Sequence, residues 1–276
     1  MRSIRCARFG SFNTFIGVLV ISLGLPAMAS AGGDAGAGKA KSVACQACHV
    51  AVAPTGDAPH LVGQREPYLA KQLKAFKSGD RKNPLMSAMA GQLSDADIDN
   101  LAAYWSSQPV GSDTVVPEAV AAIQKSQMTF PREFPKGFVL YNTTNKEAEN
   151  VVSKSYVNAI ALQAAKAGKP LPDGSQIVVV NYLAKVDASK KPVIDKDGGW
   201  AVDKIKGYAG MESRAGWSKD VPDLLRNANW NYGVFGADKA PRAEINQAIC
   251  LACHKPQAGS SFLFGLKDIQ AKAGAK

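Results

Sequence analysis

Cys250-Leu251-Ala252-Cys253-His254, close to the end of the chain, has the same form as Cys45-Gln46-Ala47-Cys48-His49 close to its beginning. On a helix, positions i and i+3 share a face, so the two thiols of each run can reach the two vinyl groups of one porphyrin, and the histidine that follows meets the iron. These four are all the cysteines beyond Cys6, and every one belongs to a C-x-x-C-H run. A zinc site could use both cysteine pairs and a redox dithiol one of them, but neither needs a histidine after each pair. A disulfide within one helical turn is geometrically poor. The spacing therefore predicts two covalently bound haem c groups, attached through Cys45, Cys48, Cys250 and Cys253, with His49 and His254 on the irons.

At the N-terminus Arg2, Arg5 and Arg8 precede an apolar run from Phe15 to Leu25 and the small residues Ala27-Met28-Ala29. This is the pattern of a secretory signal peptide over 1–29, and the run is shorter than the roughly 20 residues that span a bilayer. The expectation is a periplasmic protein that is not membrane-embedded. Losing 1–29 removes three arginines and no acid, so the formal charge falls from +10 to +7. A basic surface suits an acidic redox partner such as a cytochrome or cupredoxin. The lysines are scattered rather than clustered, which argues against nucleic acid. The length left divides into two ordinary domains of about 100 to 150 residues: 30–109, a linker over 110–128, and 129–276.

The two irons differ in their available far-side ligands. Beyond the signal the chain holds His49, His60 and His254, and Met86, Met89, Met128 and Met211. Methionine is a common sixth ligand of an electron-transfer haem, and Met86 and Met89 are both placed to serve the first site. After His254 there is neither Met nor His, so the second iron is expected to be five-coordinate with an open pocket; Met128 and Met211 stay formally possible.

The first domain reads as helical: an attachment helix, a helix over Glu66 to Lys77, and a last helix entered at Leu93-Ser94-Asp95. Ser94 is the N-cap with Asp97 at N3, followed by Ile98, Leu101, Ala102 and Trp105 at helical spacing. His60 reads as a surface residue. The stretch resembles the small class I cytochromes c of the c-4 and c-553 type, through Cys45 to His49, Leu61-Val62-Gly63-Gln64, Tyr68-Leu69, Lys71-Gln72-Leu73 and the run Leu93 to Ile98 with Leu101 to Tyr104. That resemblance implies an all-α fold. It also puts the methionine ligand seven residues before the leucine of Leu-Ser-Asp, at Met86, leaving Met89 to packing.

From Val110 to Met128 the pattern lapses into a linker with a short alanine-rich segment of one or two helical turns. Beyond it a helix is expected over Ala159 to Ala167, capped by Asn158 and ended by Gly168. The turn Pro172-Asp173-Gly174 follows, then β-structure from Ile177 to Val186 and a strand over Trp230 to Phe235. These β segments exclude the four-helix cytochromes c-prime. The domain is similar to the cytochrome P-460 family, through Phe134 to Phe138, Tyr156-Val157-Asn158, Gly168-Lys169-Pro170 with Pro172-Asp173-Gly174, Gly207 to Glu212, Asn229 to Tyr232, and Cys250 to His254 with Phe262-Leu263-Phe264. The resemblance implies a mainly antiparallel β (α+β) fold with one haem, its histidine proximal and its distal side open.

Members that oxidise hydroxylamine carry a porphyrin-bonded lysine five residues after the glycine of the Asp-Gly turn; here that count gives Val179, and a slip of one or two residues gives Val180 or Asn181. Lys185 lies too far along to replace it. Glu212 matches an acidic position that some members place over the iron, and reads equally as a carboxylate paired with Arg214. Redox chemistry on hydroxylamine or nitric oxide, binding of a small nitrogen-containing ligand or other diatomic without turnover, and plain electron carriage are the functions these readings allow.

Overall fold

The computed structural model describes residues 32–50, 55–113 and 117–274; the expected signal peptide lies outside the described residues. The N-terminal part is built from α1 (Ala35–His49), α2 (Glu66–Ser78), α3 (Pro84–Ala90) and α4 (Asp95–Ser107). Asp34 caps α1 by accepting from the N–H groups of Gly36 and Ala37. Ser94 and Asp97 close a reciprocal capping box at the start of α4, as the sequence predicts. Ile98, Leu101, Ala102 and Trp105 of α4 are buried with Leu69 of α2 and Leu93. Burying an aliphatic side chain of this size stabilises by about 1.5–3 kcal/mol.

Helix α1 crosses α4 at Gly38. A Cβ there would overlap the Asn100 carbonyl and stand 2.8 Å from the Tyr104 Cβ, so only glycine allows the two backbones to approach this closely. Gly38→Val is expected to force the helices apart and to destabilise the N-terminal part by at least the ~1–3 kcal/mol typical of overpacking, read as a lower midpoint in thermal or denaturant unfolding. An unchanged midpoint would mean that the crossing is looser than described.

Helix α5 (Glu118–Gln124) follows, and then the five strands β1 (Phe138–Lys146), β2 (Val151–Asn158), β3 (Gln176–Ala184), β4 (Val202–Ser213) and β5 (Trp230–Phe235). They form one antiparallel sheet in chain order, β1-β2-β3-β4-β5. Helix α6 (Ala159–Lys166) joins β2 to β3; α7 (Ala248–His254) and α8 (Leu266–Gly274) come after the sheet. The segment read as a linker is not a free tether, because Val120 and Ile123 of α5 are buried in the main core. The helical turns expected in this segment are those of α5, seven residues long.

Alternation along the strands gives the sheet two unlike faces. One carries the cross-strand row Val157, Ile177, Met211 and Tyr232, and packs against α6, α7 and α8. The other carries Val178, Val180, Tyr208 and Phe235 beneath Met128, Phe130 and Phe134. Phe130 meets Phe134, Tyr208 and Phe235 edge-on, with centroids 4.8–5.6 Å apart. Asn158 caps α6 through the Ala161 N–H, as expected. Strand β3 ends at Ala184, short of the expected Val186, as the chain turns into a loop in which Val186 bridges Pro192.

Candidate haem sites

Each cysteine pair lies on its own helix beside its own histidine, and all four thiols are free. Burial pushes the Cys45 thiol up to about 12 and that of Cys250 to about 11, each with help from the second cysteine of its pair. Such thiols are neutral, unlike reactive or metal-binding thiolates. Among the described residues no three His, Cys, Asp or Glu side chains gather as a metal cluster.

The two histidines are held in the same way. His49 Nδ1 donates to the Pro59 carbonyl at 2.7 Å and His254 Nδ1 to the Phe262 carbonyl at 2.7 Å. Anchoring one ring nitrogen on a carbonyl fixes the tautomer and leaves Nε2 as the free electron pair. Burial lowers both imidazole pKa values, against the smaller opposing effect of the carbonyls, which keeps the rings neutral. The His254 ring lies between Tyr232, at 4.8 Å, and the edge of Phe264, at 4.9 Å. Tyr232 is fixed in turn by Asn227, whose amide donates to the Tyr232 hydroxyl and to the Leu251 carbonyl of α7 at 3.0 and 2.9 Å. Neither Asn227 nor the flanking ring of Tyr232 was singled out from sequence as a support of His254; Asn229 to Tyr232 stood out only as a family stretch.

The methionines fall in different places. Met89 and Leu85, one helical turn apart on α3, pack into the cluster that contains α7. Met86 is half-buried on the same helix and belongs to none of the apolar clusters. Met128 lies on the far face of the sheet, against Gly210. Met211 is buried beside Tyr232 in the face that packs on α7. His60 is exposed, 3.5 Å from Asp113.

Glu212 is not on the face of the sheet that carries α7. Its neighbour Met211 points that way, and Glu212 shares the opposite face with Gly210, which packs on Met128. Its buried carboxylate accepts two bonds from the Arg214 guanidinium, at 2.7 and 3.2 Å. The ion pair with Arg214 is present, but its carboxylate is buried rather than exposed on the strand as a surface pair would have it, and the structure does not bring Glu212 to His254. Val179, by contrast, lies on the α7 face, in the cross-strand row Ser155, Val179, Ala209 and Val234. These four small side chains stay half-buried in the middle of a sheet whose neighbouring row is buried under helices. They form a shallow floor next to Tyr232. At its Val234 end the floor continues into a cavity of about 310 Å³ lined by Val151, Asn181, Gly207, Arg242 and Ile245. Tyr141, the extra residue of a bulge between β1 and β2, reaches the same helix-covered cluster, and burial pushes its hydroxyl up to about 12.

A helical unit and an antiparallel sheet unit, each with a C-x-x-C-H helix whose histidine is anchored through Nδ1, define a two-domain c-type cytochrome. Residues 31–104 match the family model described as cytochrome c oxidase, cbb3-type, subunit III, and residues 131–265 match that of cytochrome P460. Cytochrome c4 of Pseudomonas aeruginosa is 40% identical over 111 residues, covering 40% of this chain and 55% of that protein. Cytochrome c-554(548) of Halomonas halodenitrificans is 46% identical over 83 residues, 28% of this chain and 98% of that protein. The thiosulfate dehydrogenase electron acceptor of Thiomonas intermedia is 37% identical over 101 residues, 35% of this chain and 46% of that protein. The chain spans about half the length of the cytochromes c4 that it matches. It belongs to the cytochrome c family through its helical part, to which a cytochrome P460 domain is joined.

Both family models imply haem binding, and the residues present fit the group. Each histidine stands beside its own cysteine pair, and the sheet offers a floor of small side chains next to Tyr232, which flanks the second histidine. No helix among the described residues is long and apolar enough to cross a membrane.

Proposed function

We propose that the chain is an exported, periplasmic cytochrome that holds two covalent haem c groups, carries electrons through a His49/Met86 site and takes a small nitrogen species at an open iron held by His254. Haem bound in this way supplies a one-electron couple and, where its far side is open, a coordination position. The observation that carries the reading is the placement of the four methionines. Met89 is committed to packing, Met128 is behind the sheet and Met211 is in the core beside Tyr232, which leaves Met86 for the first iron and no sulfur for the second. The Phe262 carbonyl draws on the Nδ1 proton of His254 and so makes Nε2 a stronger donor. The Asn227–Tyr232 pair fixes the plane of the ring.

Hydroxylamine or nitric oxide redox chemistry is one form of this reading. Capture of nitric oxide or another diatomic without turnover is the second, and Val179 favours it, since the lysine that cross-links the porphyrin in hydroxylamine-oxidising relatives has no counterpart on the floor. The partner expected for a chain of net charge +7 after residue 29 is an acidic cytochrome or cupredoxin.

The reduced, haem-loaded protein is expected to bind carbon monoxide at one of its two haems. In denaturing mass spectrometry the peptide spanning Ser175 to Lys185 is expected to run separately from the haem peptide of Cys250 and Cys253. A reduced protein that ignores carbon monoxide would leave only electron carriage. A strand peptide travelling with the haem would restore the cross-link. Reduction of the first haem by added hydroxylamine, without a cross-link, would decide for turnover over capture.

A further inference from the structure

Thioether attachment fixes the cysteines and the histidine of each motif and leaves the two spacer residues free. Here three of the four spacers are spent on one interface. Ala47 is 0% exposed, Leu251 1% and Ala252 4%, and all three lie in a single apolar cluster with Ala44, Ala248 and Ile123. Small side chains on both motif helices let α1 and α7 approach one another.

The polar groups at this junction are bonded across it. Ala47 lies in the last turn of α1, where carbonyls lack intrahelical partners. Its oxygen accepts from Asn246 Nδ2 at 2.6 Å and from Gln124 Nε2 at 2.9 Å. The Asn246 amide also donates to Thr55 Oγ1 at 2.7 Å, and the Thr55 N–H returns to the Cys48 carbonyl at 3.0 Å. On its other side Asn246 Oδ1 accepts from the Ala248 N–H at 2.9 Å, one of the unpaired donors at the start of α7. One side chain thus satisfies the end of the first motif helix and the start of the second. Gln247, 2% exposed, extends the link: its amide donates to the Lys125 carbonyl at 2.6 Å and accepts from the Tyr232 N–H at 3.3 Å. Tyr232 is the residue whose ring lies tilted against that of His254.

We infer that Asn246 is a positioning residue that clamps the two motif helices together, so that one electron passes within the chain between the His49 and His254 sites. The inference rests on the dihaem reading of the preceding section. Domains of one chain ordinarily move relative to each other unless a large interface holds them; here the clamp replaces that freedom with a fixed approach of the two sites. In the step itself one site is oxidised and the other reduced by one electron, no bond is made or broken, and the external redox partner restores the starting charge.

Asn246→Asp separates the two roles of the side chain. Aspartate still accepts from the Ala248 N–H but can no longer donate to Ala47 or Thr55. The haem-loaded full chain is to be reduced by a radiolytic pulse and the redistribution of the electron between the two haem spectra followed in time. The variant is expected to keep both haems, both reduction potentials and the carbon monoxide affinity of wild type, while redistribution slows by about tenfold, in keeping with the cost of small misplacements of reacting groups. Gln124→Leu, which removes the other donor to Ala47 and leaves α7 untouched, is expected to slow it in the same direction, and it decides the matter if the aspartate variant fails to load. Wild-type rates in the loaded variants, or the absence of redistribution in wild type, overturn the clamp. Failure of the open-iron reading shows separately, as a wild-type protein that redistributes its electron but ignores carbon monoxide.

Discussion

Serine at both Cys250 and Cys253 is expected to yield a protein with one covalent haem, against two in the parent chain, after maturation in a periplasm that attaches haem c. Thioethers survive acid–acetone extraction, so the pigment left on the protein after extraction should fall by half. The haem that remains is the one on α1, and its sulfur-to-iron band in the near infrared should persist. The mirror variant, serine at Cys45 and Cys48, should lose that band and keep the ligand-binding haem. The expectation rests on four cysteines on two separate helices, each pair followed by a histidine whose Nδ1 is held by a carbonyl. A parent protein with one extractable haem, or with zinc in place of haem, would remove the basis of the reading.

Met86→Ala and Met89→Ala, three residues apart on one short helix, are expected to fail in opposite ways. Loss of Met86 should abolish the sulfur-to-iron band and open the first iron to carbon monoxide, with little change in stability, because that side chain contributes to no apolar cluster. Loss of Met89 should keep the band and lower stability by about 2 kcal/mol, the low end for truncating a methionine, since Met89 is only partly buried against α7. Band loss in Met89→Ala with retention in Met86→Ala would exchange the two roles.

Much of this was legible because the sequence states it locally. The capping box of Ser94 and Asp97, the Asn158 cap of α6, strand β5 and both motif helices are written in residues close together in the chain. Strands β1, β2 and β4 were not placed as strands, because each mixes its apolar residues with lysines and other polar side chains along an uncovered stretch. Asn142 to Lys146 of β1, Lys154 of β2 and Lys204 and Lys206 of β4 blur the alternation. Helix α3 begins with Asn83-Pro84, a pair that reads as readily as a turn; its cap, the Asn83 side chain accepting from the Met86 N–H, is visible only in three dimensions. Counting five from Gly174 gives Val179, which the strand register puts on the face that carries α7, whereas a slip of one residue gives Val180 on the other. Glu212 could not be judged in that way, because a one-residue difference in β4 decides which side of the sheet a side chain takes. The clamp was invisible for another reason: Ala47 and Asn246 are 199 residues apart.

That separation sets an order of events during synthesis. The sheet can assemble from strands that are neighbours in the chain, and α1 to α4 can collapse on their own contacts. The surface of α1 that presents Ala44 and Ala47, by contrast, is met in part by Ile123 of α5 and is completed only when the segment from Asn246 onward has been made. Until then the nascent chain exposes an apolar patch of the kind that invites self-association or chaperone capture. A chain cut short before residue 246 would keep the cover that α5 gives this surface but leave the part met by α7 exposed, however well its first C-x-x-C-H helix were formed.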